Sequence, residues 1–104
     1  MNAKRLYDDL ADELCERAGV EPSTMMGYPC LRRDGAFFAS WDHKDNGLIV
    51  KVPADRVDEL IAAGTAAPFS PNGRRFREWA VLITAEEATW RALLDEAFAF
   101  ADSA

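Results

Sequence analysis

The chain has 104 residues, 49% of them hydrophobic and 29% charged, with a formal net charge of −6. That length and mixture give no sign of disorder and point to one globular domain, residues 1–104, with a core large enough to need no staples. The acidic balance argues against loose binding to phosphate backbones, and no apolar run approaches the roughly 20 residues needed to span a bilayer.

The first element is a helix over about Asn2 to Ala18. Leu6, Tyr7, Leu10, Leu14 and Ala18 recur at spacings of three and four, and Asp8, Asp9, Asp12, Glu13 and Glu16 fall outside that stripe. Gly19 suits its stop. Next comes a period of two. Met25 to Arg33 reads as a first strand, and Gly27 and Pro29 within it predict an edge or a bulge. Asp34-Gly35 and Asn46-Gly47 are hairpin signals, because both central residues of a type I′ turn need φ > 0. They bracket a second strand, Ala36 to Trp41, and Leu48 to Val52 follows as a third.

A second helix is predicted from Pro53 to Ala63, with Val57, Leu60 and Ile61 as its apolar face. Pro68-Phe69 and the turn signal Asn72-Gly73 then lead into a strand from Arg74 to Ile83. Thr84 and Glu87 have capping-box spacing ahead of the third helix. Its face, Trp90, Leu93, Leu94, Ala97, Phe98 and Ala101, is bulky enough to require a sheet beneath it. The predicted order is α-βββ-α-ββ-α: an α+β fold of two layers, a mostly antiparallel sheet packed against helices.

Charge divides unevenly along this plan. Residues 1–21 carry three bases and six acids, residues 84–104 one base and five acids, and the middle eight bases and seven acids. Any electropositive surface must therefore come from the middle. Met1-Asn2-Ala3-Lys4-Arg5 runs straight into acids, with no signal-peptide stretch, so a cytoplasmic location is expected. Cys15 and Cys30 then read as packing thiols.

Catalytic and metal chemistry find little footing. There is one histidine, no C-x-x-C spacing, no glycine-rich phosphate cradle and no G-x-S-x-G elbow. His43 reads as part of a polar hairpin tip. The segment from Asp42 fails as a calcium loop, since Lys44 and Pro53 stand where carboxylates are required. Expectations are therefore no catalytic residues, no metal and no cofactor.

One constellation stands out. Arg74, Arg75 and Arg77 share a strand with Phe76 and Trp79, and Arg32 and Arg33 end another. Basic groups interleaved with aromatics can hold a nucleic-acid backbone and stack a base. The competing reading has the arginines solvated or paired to the acidic helices, with Trp79 in the core. Five phosphate contacts give a salt slope of about −4 to −5, so duplex binding by the isolated chain should be weak at physiological salt.

Met25-Met26-Gly27-Tyr28-Pro29 and Gly35 with Phe37-Phe38-Ala39 resemble the Met-Phe-Gly and Gly-x-Met-Phe-Ala motifs of the TfoX/Sxy amino-terminal domain family. Lys51 is similar to that family's basic residue after a short apolar strand, and Asp55 to Leu60 resembles its second helix. Pro68-Phe69 followed by Gly73-Arg74-Arg75-Phe76-Arg77-Glu78-Trp79 is similar to its Pro-Phe and Gly-Arg-Pro-x-Arg-Glu-Tyr run. Met26 stands where the family usually has Phe, and Arg75 where Pro is common. The resemblance implies the same α-βββ-α-ββ-α domain. Named members carry a second, carboxy-terminal domain and regulate competence genes with a cyclic-AMP-receptor-type activator; this chain is expected to be a single-domain member without it.

The leading expectation is a non-catalytic protein-interaction module, with a regulatory role implied by the resemblance to that family and with a protein partner or a second copy in a homodimer. The alternatives are a nucleic-acid-associated regulator using the Arg74–Trp79 strand, or a small-ligand-binding protein with an apolar pocket beside Lys51 or Trp79. Candidate binding residues are Met26, Tyr28, Lys51, Arg74, Arg77 and Trp79.

Overall fold

The computed structural model describes residues 2–102. Three helices, α1 (Ala3–Leu14), α2 (Ala54–Ala62) and α3 (Glu87–Asp102), accompany six strands. These are β1 (Val20–Met25), β2 (Tyr28–Arg33), β3 (Ala36–Asp42), β4 (Gly47–Lys51), β5 (Ala67–Phe69) and β6 (Phe76–Leu82). The strands form one antiparallel sheet in the order β1-β2-β3-β4-β6-β5. The α+β plan read from the sequence is present, with one further strand, β1, ahead of it.

That extra strand changes the reading of Met25 to Arg33. Met26-Gly27 is a turn, with φ of 52° and 86°, and it joins β1 to β2 as a hairpin. Both central residues thus have the positive φ of a type I′ turn, as Asp34-Gly35 also does. β2 is therefore an interior strand and β1 the edge. The anticipated bulge lies between β2 and β3, where the register shifts at Leu31/Arg32.

Helix ends also move. The Asn2 side chain accepts from Arg5 N at 2.8 Å and caps α1. The helix stops at Leu14, short of Ala18, where bonds from Glu16 N to Glu13 O and from Arg17 N to Leu14 O tighten its end. Pro53 is the residue before α2 rather than its first. The Thr84–Glu87 capping box does not form. α3 begins at Glu87, with Trp90 N bonded to Glu86 O, and Thr84 instead offers its carbonyl to Trp90 Nε1 at 2.9 Å.

The register defines the two faces of the sheet. Leu31, Ala39, Val50 and Ala80 are cross-strand neighbours on one face, and Trp41, Leu48 and Leu82 make the next row. All are buried in one core with Leu6, Tyr7, Leu10 and Leu14 of α1, Val57 and Leu60 of α2, and Trp90, Leu93, Leu94 and Ala97 of α3. All three helices thus cover the same face. The β2–β3 bulge lets Phe38 join Ala39 in this core, where it meets Phe98 edge-on. Arginines tie the helices together: Arg91 bonds Glu13 and Glu87, Arg17 reaches Asp95 at 2.7 Å, and Arg56 grips Glu96 at 2.9 and 3.1 Å.

Candidate functional site

The opposite face of the sheet carries no helix. Its central row is Cys30, Ser40, Ile49, Val81 and Ala67, one residue from each strand between β2 and β5. Larger side chains rise at both ends of that row. They form two clusters, separated along β3 by the stretch from Phe37 to Asp42, about 17 Å of strand.

One cluster gathers Phe37, Phe69, Phe76 and Trp79. The Trp79 ring stacks on Phe37 at 4.6 Å between centroids and on Phe69 at 5.1 Å, with interplanar angles of 20° and 24°. Phe37 comes from β3 and Phe69 from β5, on either side of β6. Phe76 meets Trp79 edge-on at 5.0 Å and lies tilted against Phe69 at 5.5 Å. All four rings are half-buried. Such offset and edge-on pairs add about 0.5–1.5 kcal/mol each beyond area burial, so the cluster is a rigid patch and not four loose side chains.

Cations ring this patch. Lys51 pairs with Trp79 across β4 and β6. Arg74 lies over the Phe76 ring at 5.2 Å. Arg77 is exposed two residues before Trp79. The other arginines of the constellation go elsewhere. Arg75 bonds Asp58 of α2 at 3.0 Å. Arg32 bonds the Ser23 hydroxyl and the Gly35 carbonyl. Arg33 crosses to the helix side, over the Phe98 ring at 3.9 Å and against Asp102.

The second cluster is at the other end. Met26 is 90% exposed at the tip of the β1–β2 turn, and Tyr28, 43% exposed, stacks on His43 at 5.3 Å. Of the six residues singled out from sequence, Lys51, Arg74, Arg77 and Trp79 share one cluster, while Met26 and Tyr28 belong to the other. Phe37, Phe69, Phe76 and His43 stand beside them without having been among the six, although Phe76 was part of the arginine–aromatic constellation. Phe37 and Phe69 lay within the family-like motifs, a signal that could have found them.

Asp42 sits beside the second cluster at 6% exposure. Its Oδ1 accepts from Lys44 N and Asp45 N, and its Oδ2 is buried without a partner. Burial, then the neighbouring Asp45 carboxyl, pushes the Asp42 carboxyl above its ordinary 3.8. A proton held more tightly by the folded chain stabilises it at low pH, and that contribution is lost as pH rises through the folded-state range. Asp42→Asn keeps the Oδ1 acceptor and removes the charge. It is expected to stabilise the fold by up to about 1 kcal/mol at pH 7 and by nothing near pH 3, measured by urea denaturation at both values. Equal effects at the two pH values would defeat this account.

Cavities offer little beside the aromatic patch. The cleft where Phe37, Phe38 and Lys51 meet Ala97, Phe100 and Ala101 of α3 holds about 10 Å³, room for roughly one water. A groove of about 400 Å³ lies between α2 and α3, on the other side of the molecule from the open face, and is bridged by the Arg56–Glu96 pair. Among the described residues no group of three or more His, Cys, Asp or Glu is placed to hold a metal, and no helix is long and apolar enough to cross a membrane. Cys15 and Cys30 are free thiols, each pushed up mainly by burial.

The fold and patch together define a class: an α+β domain with helices on one side of its sheet and an aromatic, cation-rimmed face on the other. No protein-family model matches the chain, no curated protein is similar to it, and no solved structure matches it.

Proposed function

We propose that this chain is a non-catalytic protein-interaction module whose contact surface is the helix-free face of its sheet. One observation carries the reading: the four-ring patch of Phe37, Phe69, Phe76 and Trp79 is half-buried on a face that no helix covers. Aromatic and arginine side chains are the residues that dominate binding energy at protein interfaces. The edges are less inviting than the face. Each edge strand carries a proline, Pro22 on β1 and Pro68 on β5, a residue that blunts strand addition.

Two features favour this reading over a nucleic-acid one. Trp79 already stacks on two rings, Phe37 and Phe69, which leaves little of its own surface as a platform for a base. Arg33 and Arg75 are committed to acids away from the patch. Kinship with the TfoX/Sxy amino-terminal family is part of the proposal, because the motif residues Phe37, Lys51, Phe69, Arg74 and Trp79 converge on the patch. A regulatory role and a cytoplasmic location go with it; two unpaired thiols suit a reducing compartment.

The test is affinity capture from the native host, comparing the wild-type chain with Trp79→Ala and with Arg91→Ala, a change on the helix side. A partner is expected to be held by wild type and Arg91→Ala and lost with Trp79→Ala. Removing an interface tryptophan typically costs at least about 2 kcal/mol, or roughly thirtyfold in affinity. An unchanged partner set would overturn the reading. Light scattering on the same protein decides whether a second copy is that partner, and a monomer mass across the micromolar range would exclude a homodimer.

A further inference from the structure

Carboxylate partners are distributed unevenly over the bases of this chain. Among the described residues, Lys4, Arg17, Arg33, Arg56, Arg75 and Arg91 are all in ion pairs. Six bases have none with a described acid: Arg5, Arg32, Lys44, Lys51, Arg74 and Arg77. Half of these six surround the aromatic patch, in a protein whose net charge is −6. The acids, eighteen to twelve bases, had ample numbers to neutralise them. Asp58, the acid of α2 that reaches toward this end of β6, is taken by Arg75. Glu78 sits next to Trp79 in β6, and adjacent residues of a strand point to opposite faces of the sheet.

We propose that the patch formed by Phe37, Phe69, Phe76 and Trp79, with Lys51, Arg74 and Arg77 around it, holds an acidic peptide segment bearing aromatic or large apolar side chains. This rests on the open face being the interaction surface, and it names the chemistry of the partner. The rings supply apolar contact at low conformational cost, since they are already packed on one another. The three cations supply charge complementarity, which steers an acidic segment in and rejects a basic one. Arg74 adds geometry as well as charge. Its guanidinium, lying against Phe76, keeps its N–H fork free to take a carboxylate side-on. A second copy fits this patch less well, because its own open face presents the same cations.

The experiment uses the full chain and a labelled synthetic peptide in which aspartates alternate with phenylalanines, read by fluorescence anisotropy. Controls are the same peptide with lysine for aspartate, the same peptide with alanine for phenylalanine, and a single-stranded oligonucleotide. Binding of the acidic aromatic peptide is expected to weaken as salt rises. The variant carrying Arg74→Glu and Arg77→Glu is expected to lose at least about tenfold in affinity. Neither arginine has an ion-pair partner, so the circular dichroism spectrum and melting temperature should stay at wild-type values; a variant that fails to fold is replaced by Arg74→Gln with Arg77→Gln. Stronger binding of the lysine peptide would overturn the acidic chemistry and leave the open face as an interaction surface. Equal binding of the oligonucleotide would overturn it in favour of a general polyanion site. No binding of any peptide, with Trp79→Ala also silent in the capture experiment, would overturn both readings.

Discussion

Replacing Trp90 with alanine is expected to cost about 3–5 kcal/mol, the range for a large aromatic removed from a packed core. Trp90 is fully buried, at 0% exposure. Its ring sits where α3 enters the core between the helices and the sheet, and its indole N–H donates to Thr84 O at 2.9 Å. Both effects disappear together in the alanine variant: apolar volume is lost, and a carbonyl in the loop before α3 loses its partner. A domain of this size has about 5–15 kcal/mol in total, so a large share of its margin would go. The melting temperature should fall by more than about 10 °C. Trp90→Phe separates the two contributions, since it retains most of the volume and loses only the donor, at about 1–3 kcal/mol. Leu94→Ala, on the same helix face, should cost about 2–5 kcal/mol. A loss below about 0.5 kcal/mol for Trp90→Ala would place α3 at the periphery of the fold.

α3 also shows what was legible in the sequence. Its apolar face follows from the three- and four-residue spacing, and Trp90, Leu93, Leu94 and Ala97 are all buried as that spacing requires. Its start was misread because Thr84, which the spacing makes a cap, gives its carbonyl to the Trp90 indole, and the first helical bond runs from Trp90 N to Glu86 O. β1 was invisible for a different reason. It lies at the sheet edge, only Val20 of its six residues is buried, and Pro22 breaks the pattern, so alternation never develops. Nor does Met26-Gly27 look like a hairpin signal, because methionine is an unusual residue at positive φ. The aromatic patch was half legible. Lys51, Arg74, Arg77 and Trp79 could be singled out by residue type. Phe37 and Phe69 join them only because β6 inserts between β4 and β5, and that strand order is a long-range fact no local spacing encodes.

Gly47→Ala is expected to cost about 3 kcal/mol, at the upper end for overpacking a buried position. The sequence suggested a glycine required by its turn, with φ > 0 at both Asn46 and Gly47. Only Asn46 has it, at 52°; Gly47 is the first residue of β4, paired with Asp42. What excludes a side chain is proximity. A Cβ at Gly47 would lie 2.4 Å from the Leu82 carbonyl oxygen and 3.2 Å from its carbonyl carbon. Those atoms are backbone of β6, so they cannot rotate away, and relief requires β4 and β6 to separate where Leu48 meets Leu82. That seam joins the β1–β4 half of the sheet to β5 and β6, and it lies between the buried rows of both faces. The two accounts of Gly47 differ in a measurable way. A residue needed for positive φ is replaced by asparagine at modest cost, since asparagine tolerates that conformation. A residue needed for close approach is replaced by asparagine at a cost at least as large as alanine's. Urea denaturation of Gly47→Ala and Gly47→Asn should therefore show two similar, large losses, with faster amide exchange at Leu48 and Leu82. A Gly47→Asn loss under about 1 kcal/mol would restore the turn account and remove the close approach as the reason for glycine here.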